Sequence, residues 1–295
     1  MPETAEKTGI PLSVKDERFD AARCADYCLS LQVEASALTV AVFDNIHGIY
    51  LALETHSFRN SNDLSALLPR LEKLCDGHEW LGNRFKRTDA MIVTERSTLV
   101  PSALFDPEKA AEYLQFNHHA NSEDAKHEEI RIDHLRNLDA RNLWLLPEGL
   151  ERTLKKLFPG LRLCHYSTPL IESLLVANKN EQKKKVFAHV QQERFEILVL
   201  EGRKLHLYNT FKYRGGEDFL FYLLFVCEQL KLSPETLELI LLGELTGDST
   251  VAGLSKKYVR HVSFGERPVQ AAFGKAFDVL PPHFHYNLFS LHYFS

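Results

Sequence analysis

The sequence predicts an α/β protein built by duplication, with two mixed sheets flanked by helices. Three observations predict it. A run of three strand-like apolar segments followed by a helical stretch occurs near the N-terminus and returns about halfway along the chain. Helical and strand-like segments alternate after each opening meander. The 295 residues suffice for two cores, because a single core stops growing near ~250–300 residues.

Residues 1–20 are polar and weakly patterned, and read as a flexible N-terminal arm. The first domain is expected over 21–180. Aliphatic and β-branched residues dominate 28–33, 38–43 and 49–58, with Glu34-Ala35-Ser36 and then Asn45-Ile46-His47-Gly48 at the turns. Leu64, Leu67, Leu68, Leu71 and Leu74 share one helical face, with Asn62 or Asp63 at the N-cap. A strand is expected over 90–94, irregular chain over 101–105, and a helix from Asp106 to about Phe116 with Pro107 in its first position. Residues 118–126 read as a surface loop containing His118 and His119. Strands over 130–135 and 142–146, a helix over 148–158 ended by Pro159-Gly160, a strand over 161–166 and a helix over 168–177 complete this part.

The charged run 178–185, with Lys179, Lys183, Lys184 and Lys185, is the linker, and it places the second domain at 181–295. Its meander is 186–190, 195–200 and 205–213, followed by a helix over 218–230 that Ser233-Pro234 stops. An apolar strand over 237–242, a turn rich in Gly, Thr, Asp and Ser, a helix over 251–258 and a strand over 262–264 follow. Residues 271–277 read as a helix, and the aromatic end, 284–293, as a packed strand or short helix.

A formal net charge of −5 argues against a dedicated nucleic-acid binder, which carries a basic face. Five scattered cysteines in mostly apolar surroundings are the usage of a reducing compartment, where thiols act as small core residues. Cys24 and Cys28 are spaced for a helix turn rather than for a redox or zinc motif. The first nine residues carry no signal-peptide pattern, and the longest apolar run, 219–227, falls far short of the ~20 residues a membrane span needs. A cytoplasmic protein without a membrane span is expected.

The duplicated meander, helix and strand resembles the ribonuclease-H-like unit that occurs twice in actin-like ATPases. The chain is also similar, over nearly its whole length, to an uncharacterised bacterial family, a domain of unknown function found mainly in the Bacteroidetes. The segments STLVPSALFDPEKAAEYLQFNH (97–118), the linker with FAHV (187–190), and NTFKYRGGEDFLFYLLF (209–225) carry that similarity. It looks broadly like the degenerate actin-like proteins of pilus-assembly and secretion machines, which act as cytoplasmic adaptors.

The resemblance implies two phosphate turns, one between the first two strands of each half, which need glycines and an acidic residue. The segments at those places, Glu34 to Ala37 and Gln191 to Arg194, contain no glycine, and the strands before them carry Ser30, Gln32 and His189 rather than a carboxylate. Clustered carboxylates for two-metal chemistry are missing from the same strands. Gly243, Gly247 and Asp248 form a strand-to-helix turn where such folds contact nucleotide, and Gly215-Gly216 precede a helix whose first turn holds Glu217 and Asp218. These five, Gly215, Gly216, Gly243, Gly247 and Asp248, are the candidate nucleotide contacts, although helix capping by Asp248 or Ser249 accounts for the turn as well.

His283 and His285 would share one face of an extended strand, but no third ligand lies near them in sequence, so no metal is expected. Walker, nucleophile-elbow, dinucleotide and HExxH patterns are absent from the sequence. No catalytic residue is assigned. The expected function is a non-catalytic adaptor or scaffold without cofactor, acting through a protein partner or self-association. The interdomain cleft and the aromatic residues Phe284, Tyr286, Phe289, Tyr293 and Phe294 are the candidate surfaces. The alternative is a divergent nucleotide-binding protein or phosphotransferase that takes ATP with magnesium in that cleft.

Overall fold

The structure, a computed structural model, describes residues 13–58, 64, 67–117 and 128–294. The chain forms two compact units. One comprises 13–172, Gln270–Asp278 and 288–294, and the other Ser173–Val269 and Val279–Asn287.

In the first unit, β1 (Ser13–Lys15), β2 (Tyr27–Val33), β3 (Ala37–Asp44) and β4 (Ile49–Ser57) precede α1 (Leu68–Gly77) and β5 (Arg87–Ile92). Next come β6 (Ser97–Pro101), α2 (Ala110–Asn117), β7 (Glu128–Leu135), β8 (Ala140–Pro147), α3 (Leu150–Leu157) and β9 (Arg162–His165). Helix α4 (Ser167–Ala177) follows. The main sheet runs β1-β4-β3-β2-β5-β9. Its β4-β3-β2 pairs are antiparallel and its β2-β5 and β5-β9 pairs parallel.

Strand β2 is central, and its run YCLSLQV is buried on both faces, which is why it reads as nearly continuous apolar sequence rather than as an alternation. Leu71 and Cys75 of α1 and Leu150 and Leu154 of α3 pack into the core of this sheet. In α3 the spacing of four residues aligns them on one face, while Glu151 in the first turn and Lys155 and Lys156 in the last suit the helix dipole.

The second unit repeats the plan. Strands β10 (Lys184–Val190), β11 (Arg194–Glu201) and β12 (Lys204–Lys212) lead to α5 (Gly216–Gln229), β13 (Glu238–Gly243), α6 (Thr250–Tyr258) and β14 (His261–Phe264). The sheet order is β12-β11-β10-β13-β14, again an antiparallel meander joined to two parallel strands. In both units the second-to-third strand pairing has a register shift, between Val42 and Phe43 and between Val199 and Leu200. Phe219, Leu223, Val226 and Cys227 of α5 pack into this unit's core with Phe195, Ile197 and Val199. The chain ends in β15 (Ala272–Phe273), which pairs with β4, and α7 (Tyr286–Phe294).

Several expectations need correction. The segment expected to be an arm over 1–20 contains β1 from Ser13, whose Val14 is buried opposite Leu53 of β4; its residues 1–12 lie outside the described ones. The irregular 101–105 segment begins with the end of β6. The expected helix at 271–277 is β15 followed by a 3₁₀ turn, Lys275–Val279, because Ala272 and Phe273 complete the sheet beside β4 instead of coiling. Lys184 and Lys185 open β10 rather than belonging to a solvated linker, and Lys185 sits 3.0 Å from Glu181 and 3.3 Å from Glu238. The N-cap expected at Asn62 or Asp63 and the loop over 118–126 lie outside the described residues. All five cysteines are free and buried. Among the described residues no helix is long and apolar enough to cross a membrane.

The three-stranded sheet β6-β8-β7 is inserted between β5 and β9, and a polar network secures it. Asp133 of β7 accepts hydrogen bonds from Trp144 Nε1 at 3.0 Å, the His165 backbone N–H at 2.7 Å and Thr168 Oγ1 at 2.6 Å. Enclosure raises the Asp133 pKa from 3.8 to about 6, with the three donors opposing. A carboxyl raised in this way binds more protons folded than unfolded between the two values, so its contribution is complete below about pH 4 and is lost as pH rises through about 6. Asp133→Asn cannot ionise. By urea unfolding, wild-type stability relative to the variant is expected to fall by roughly 2–3 kcal/mol from pH 4 to pH 7. A pH-independent difference would refute the raised pKa.

Candidate functional site

The second unit contains a pocket of about 170 Å³ beside the end of β10. Its walls come from the β10–β11 turn (Gln191, Gln192), the chain entering α5 (Tyr213 to Gly216), the segment after β13 (Glu244 to Thr246) and the start of α6. The sheet order places these pieces together: β10 pairs with both β11 and β13, so the turn after the first and the exit of the last meet at one end. The two helices pack closely, and a Cβ on Gly216 would stand 2.8 Å from Leu254 Cδ1 and 3.2 Å from Thr250.

The start of α6 is capped by its own side chain, whereas at α5 the first-turn acid turns back to the residue before the N-cap, Gly215. Asp218 accepts the backbone N–H of Arg214 at 2.9 Å, and Ser249 accepts that of Ala252 at 3.2 Å. The pocket's lining carries one carboxylate, Glu244. Its side chain is reached by solvent yet ringed by protein. That enclosure raises its pKa, against the pull of His189 and Arg194. Tyr213 is pushed up to about 12 by burial and the nearby Glu244, keeps its proton, and donates it to the Gln191 carbonyl at 2.7 Å.

Behind the pocket wall lies a buried polar group that spacing along the chain did not reveal. His189 of β10 and Glu196 of β11 face each other in register, with His189 Nδ1 donating to Glu196 Oε2 at 2.8 Å. Glu196 is fully buried, and Arg194 Nε stands 3.6 Å from its other oxygen. The antiparallel register joins residues seven apart into one unit, a signal readable from the hairpin once its turn is placed.

Of the five sequence candidates, Gly215 and Gly216 line the pocket, whereas Gly243, Gly247 and Asp248 do not. Gly243 ends β13 opposite Val190, at φ +91°, with its N–H donated to the His283 carbonyl at 3.0 Å. Gly247 is open, with Phe264 its nearest neighbour at 3.9 Å from a built Cβ. A hydrogen bond from Thr246 holds the exposed Asp248 carboxyl below its ordinary value, and Ser249, not Asp248, caps α6. His283 Nε2 donates to the Leu245 carbonyl at 2.8 Å, and the ring stacks on Phe264. His283 and His285 precede α7 and do not lie on a strand.

The two turns the resemblance singled out are closed by their own hydrogen bonds. Glu34 N–H donates to Ala37 O at 2.9 Å and Ala37 N–H to Glu34 O at 3.4 Å, while the Gln32 amide donates to Glu34. Gln191 N–H donates to Arg194 O at 2.9 Å, and the Arg194 guanidinium returns to the Gln191 side chain. Phe284, Tyr286 and Phe289 of the aromatic C-terminal segment are buried, and Tyr293 and Phe294 half-buried, so that segment is largely core.

A family model described as "Protein of unknown function (DUF3822)" matches residues 16–262. No curated protein matches the chain. Among solved structures it is similar to a Bacteroides thetaiotaomicron protein described as having an actin-like ATPase fold and unknown function. That likeness has 25% identity, 89% of this chain and 98% of the other covered, and a TM-score of 0.70. It is similar in fold to a chain of the PilM-PilN type IV pilus biogenesis complex at 13% identity, over 90% of this chain and 97% of the other, with a TM-score of 0.57.

Proposed function

We propose, for a chain that belongs to the DUF3822 family and has the actin-like ATPase fold, that it serves as a non-catalytic cytoplasmic adaptor or scaffold. The observation that carries this reading is the state of the two turns. Phosphate binding at such turns draws on glycines that let phosphate approach the backbone N–H groups, whereas Glu34 to Ala37 and Gln191 to Arg194 contain none and each closes as a tight hairpin turn. The pocket supports it too. About 170 Å³ lies below the ~300–1,000 Å³ usual for small-molecule sites. The PilM-PilN complex is an instance of this fold in a protein assembly, and we extend that role to this chain by analogy of fold.

The partner surface in this reading is the outer face of α5. Phe221 is 64% and Phe225 46% exposed, one helical turn apart, with rings stacked 6.5 Å from each other. Exposed aromatics on a stable helix suit burial against an apolar partner segment. The rival, a divergent nucleotide-binding protein using Gly215 and Gly216, makes a different demand: millimolar ATP with magnesium must raise the melting temperature. The expected result is no shift with nucleotide. A tagged wild-type protein is expected to retain a stoichiometric partner, or a second copy, that the Phe221→Asp, Phe225→Asp double variant loses without a change in melting temperature. A nucleotide shift, or a variant that keeps its partner, overturns the reading.

A further inference from the structure

The outer end of β4 carries a cluster that the proposed adaptor role does not use. Glu54 and His56 are two residues apart on a strand and so project from the same face. His78, the first residue after α1, is brought to them from the helix end. His78 Nε2 stands 2.9 Å and His56 Nε2 3.4 Å from the same oxygen, Glu54 Oε2. The two imidazoles are nearly perpendicular, at 87°, with centroids 5.3 Å apart. One ligand atom from each of the three residues falls within 4.8 Å of the others.

An ordinary ion pair would need one of these histidines. The second has no such account: His56 Nε2 is buried and makes no hydrogen bond, despite its position near the carboxylate. An imidazole nitrogen left so is costly, and a cation on its lone pair would satisfy it. With metal–ligand bonds of about 2.0–2.1 Å at tetrahedral angles, neighbouring ligand atoms stand about 3.3 Å apart. The observed 2.9 and 3.4 Å bracket that edge.

We infer that Glu54, His56 and His78 form a binding site for one divalent first-row transition metal, zinc foremost. Two imidazoles and one carboxylate favour zinc, copper or nickel over magnesium and calcium, which take oxygen ligands. Three protein ligands leave the fourth position to water, and the side chains are 12–22% exposed, so solvent reaches them.

The proton on His78 has to move. Its Nδ1 accepts the Leu81 and Trp80 backbone N–H groups at 3.3 and 3.5 Å, so without metal the proton is on Nε2 and is donated to Glu54. Metal takes the Nε2 lone pair, the proton passes to Nδ1, and those two long contacts are given up. The balance is neutral in protons for His78. Trp80, whose ring lies 4.9 Å from His78, reports the change.

The test is titration of the chelator-treated full-length protein with zinc chloride, with cobalt(II) as the spectroscopic probe and magnesium as control. The expected result is one zinc per chain, tetrahedral cobalt absorption bands, and a change in Trp80 fluorescence. Affinity is expected to fall at least tenfold in Glu54→Gln and in His56→Gln, with metal-free melting temperatures near wild type. Should a variant fail to fold, the wild-type cobalt spectrum decides alone. Absence of saturable one-to-one binding, or equal affinity in both folded variants, means an ion pair only and overturns the site. The outcome is independent of the nucleotide and partner experiments.

Discussion

Gly243→Ala is expected to destabilise the protein by roughly 3–5 kcal/mol, lowering the melting temperature by roughly 10 °C. Two costs combine. Residue 243 has φ +91°, a backbone conformation that glycine adopts freely and L side chains resist. A Cβ there would also stand 2.1 Å from the Val190 carbonyl oxygen and 2.9 Å from the Val190 nitrogen. Those atoms belong to the neighbouring strand, so they cannot turn aside as a flexible side chain could. Relief would require parting β13 from β10 where Glu244 N–H donates to Val190 O at 2.8 Å, directly beside the pocket. Gly247→Ala is the control. It meets nothing nearer than 3.9 Å, and its effect should lie within about 0.5 kcal/mol. Thermal unfolding of the two variants side by side is the measurement, and equal losses would refute a steric role for Gly243.

Glu196→Ala is the second large effect, at about 3–5 kcal/mol. Glu196 and His189 are 0% and 5% exposed, so removing the carboxylate strands the imidazole, and Arg194 loses its neighbour, in a place water does not reach. Attraction between the groups is not what makes the change expensive; the abandoned partners are. The control follows from that distinction. The double variant His189→Leu, Glu196→Leu should be more stable than Glu196→Ala alone, because an apolar pair of similar volume leaves no imidazole stranded, while Arg194 loses its neighbour in both. Urea unfolding with an unchanged denaturant slope checks both. A Glu196→Ala loss below about 1 kcal/mol would mean that water enters the site and that the group is not sealed as described.

Much of the architecture was legible because it rests on local pattern. The β2, β3 and β4 meander and its repeat in β10, β11 and β12 announce themselves by apolar runs separated by polar turns. Asp106 caps its turn by accepting the Glu108 N–H, as its place before Pro107 implies. What misled was any segment whose state is set by a distant neighbour. Ala272 and Phe273 lie in apolar sequence that suits a helix, and become a strand because β4 offers them an edge. β1 is three residues long, too short for a period, and exists through its pairing with β4.

The candidate site divides in the same way. Gly215 and Gly216 could be marked from sequence because a glycine pair before acids announces a helix start, and they do line the pocket. Gly243 lies outside the pocket's lining, and its glycine serves close packing of β13 on β10. Glu244, next to it, carried no local signal. His78 and Glu54 are separated by 24 residues, and only the return of α1 to the end of β4 puts them 2.9 Å apart.

By itself, then, the sequence determined the duplicated α/β plan, the strand and helix alternation and the glycine-free turns, since hydrophobic period and turn chemistry act between near neighbours. Tertiary structure decided which polar residues meet. The His189–Glu196 pair, the carboxylate in the pocket and the Glu54–His56–His78 cluster depend on strand register and on where helices end. Register across the β10–β11 hairpin sets the first, and the approach of elements distant in sequence sets the other two.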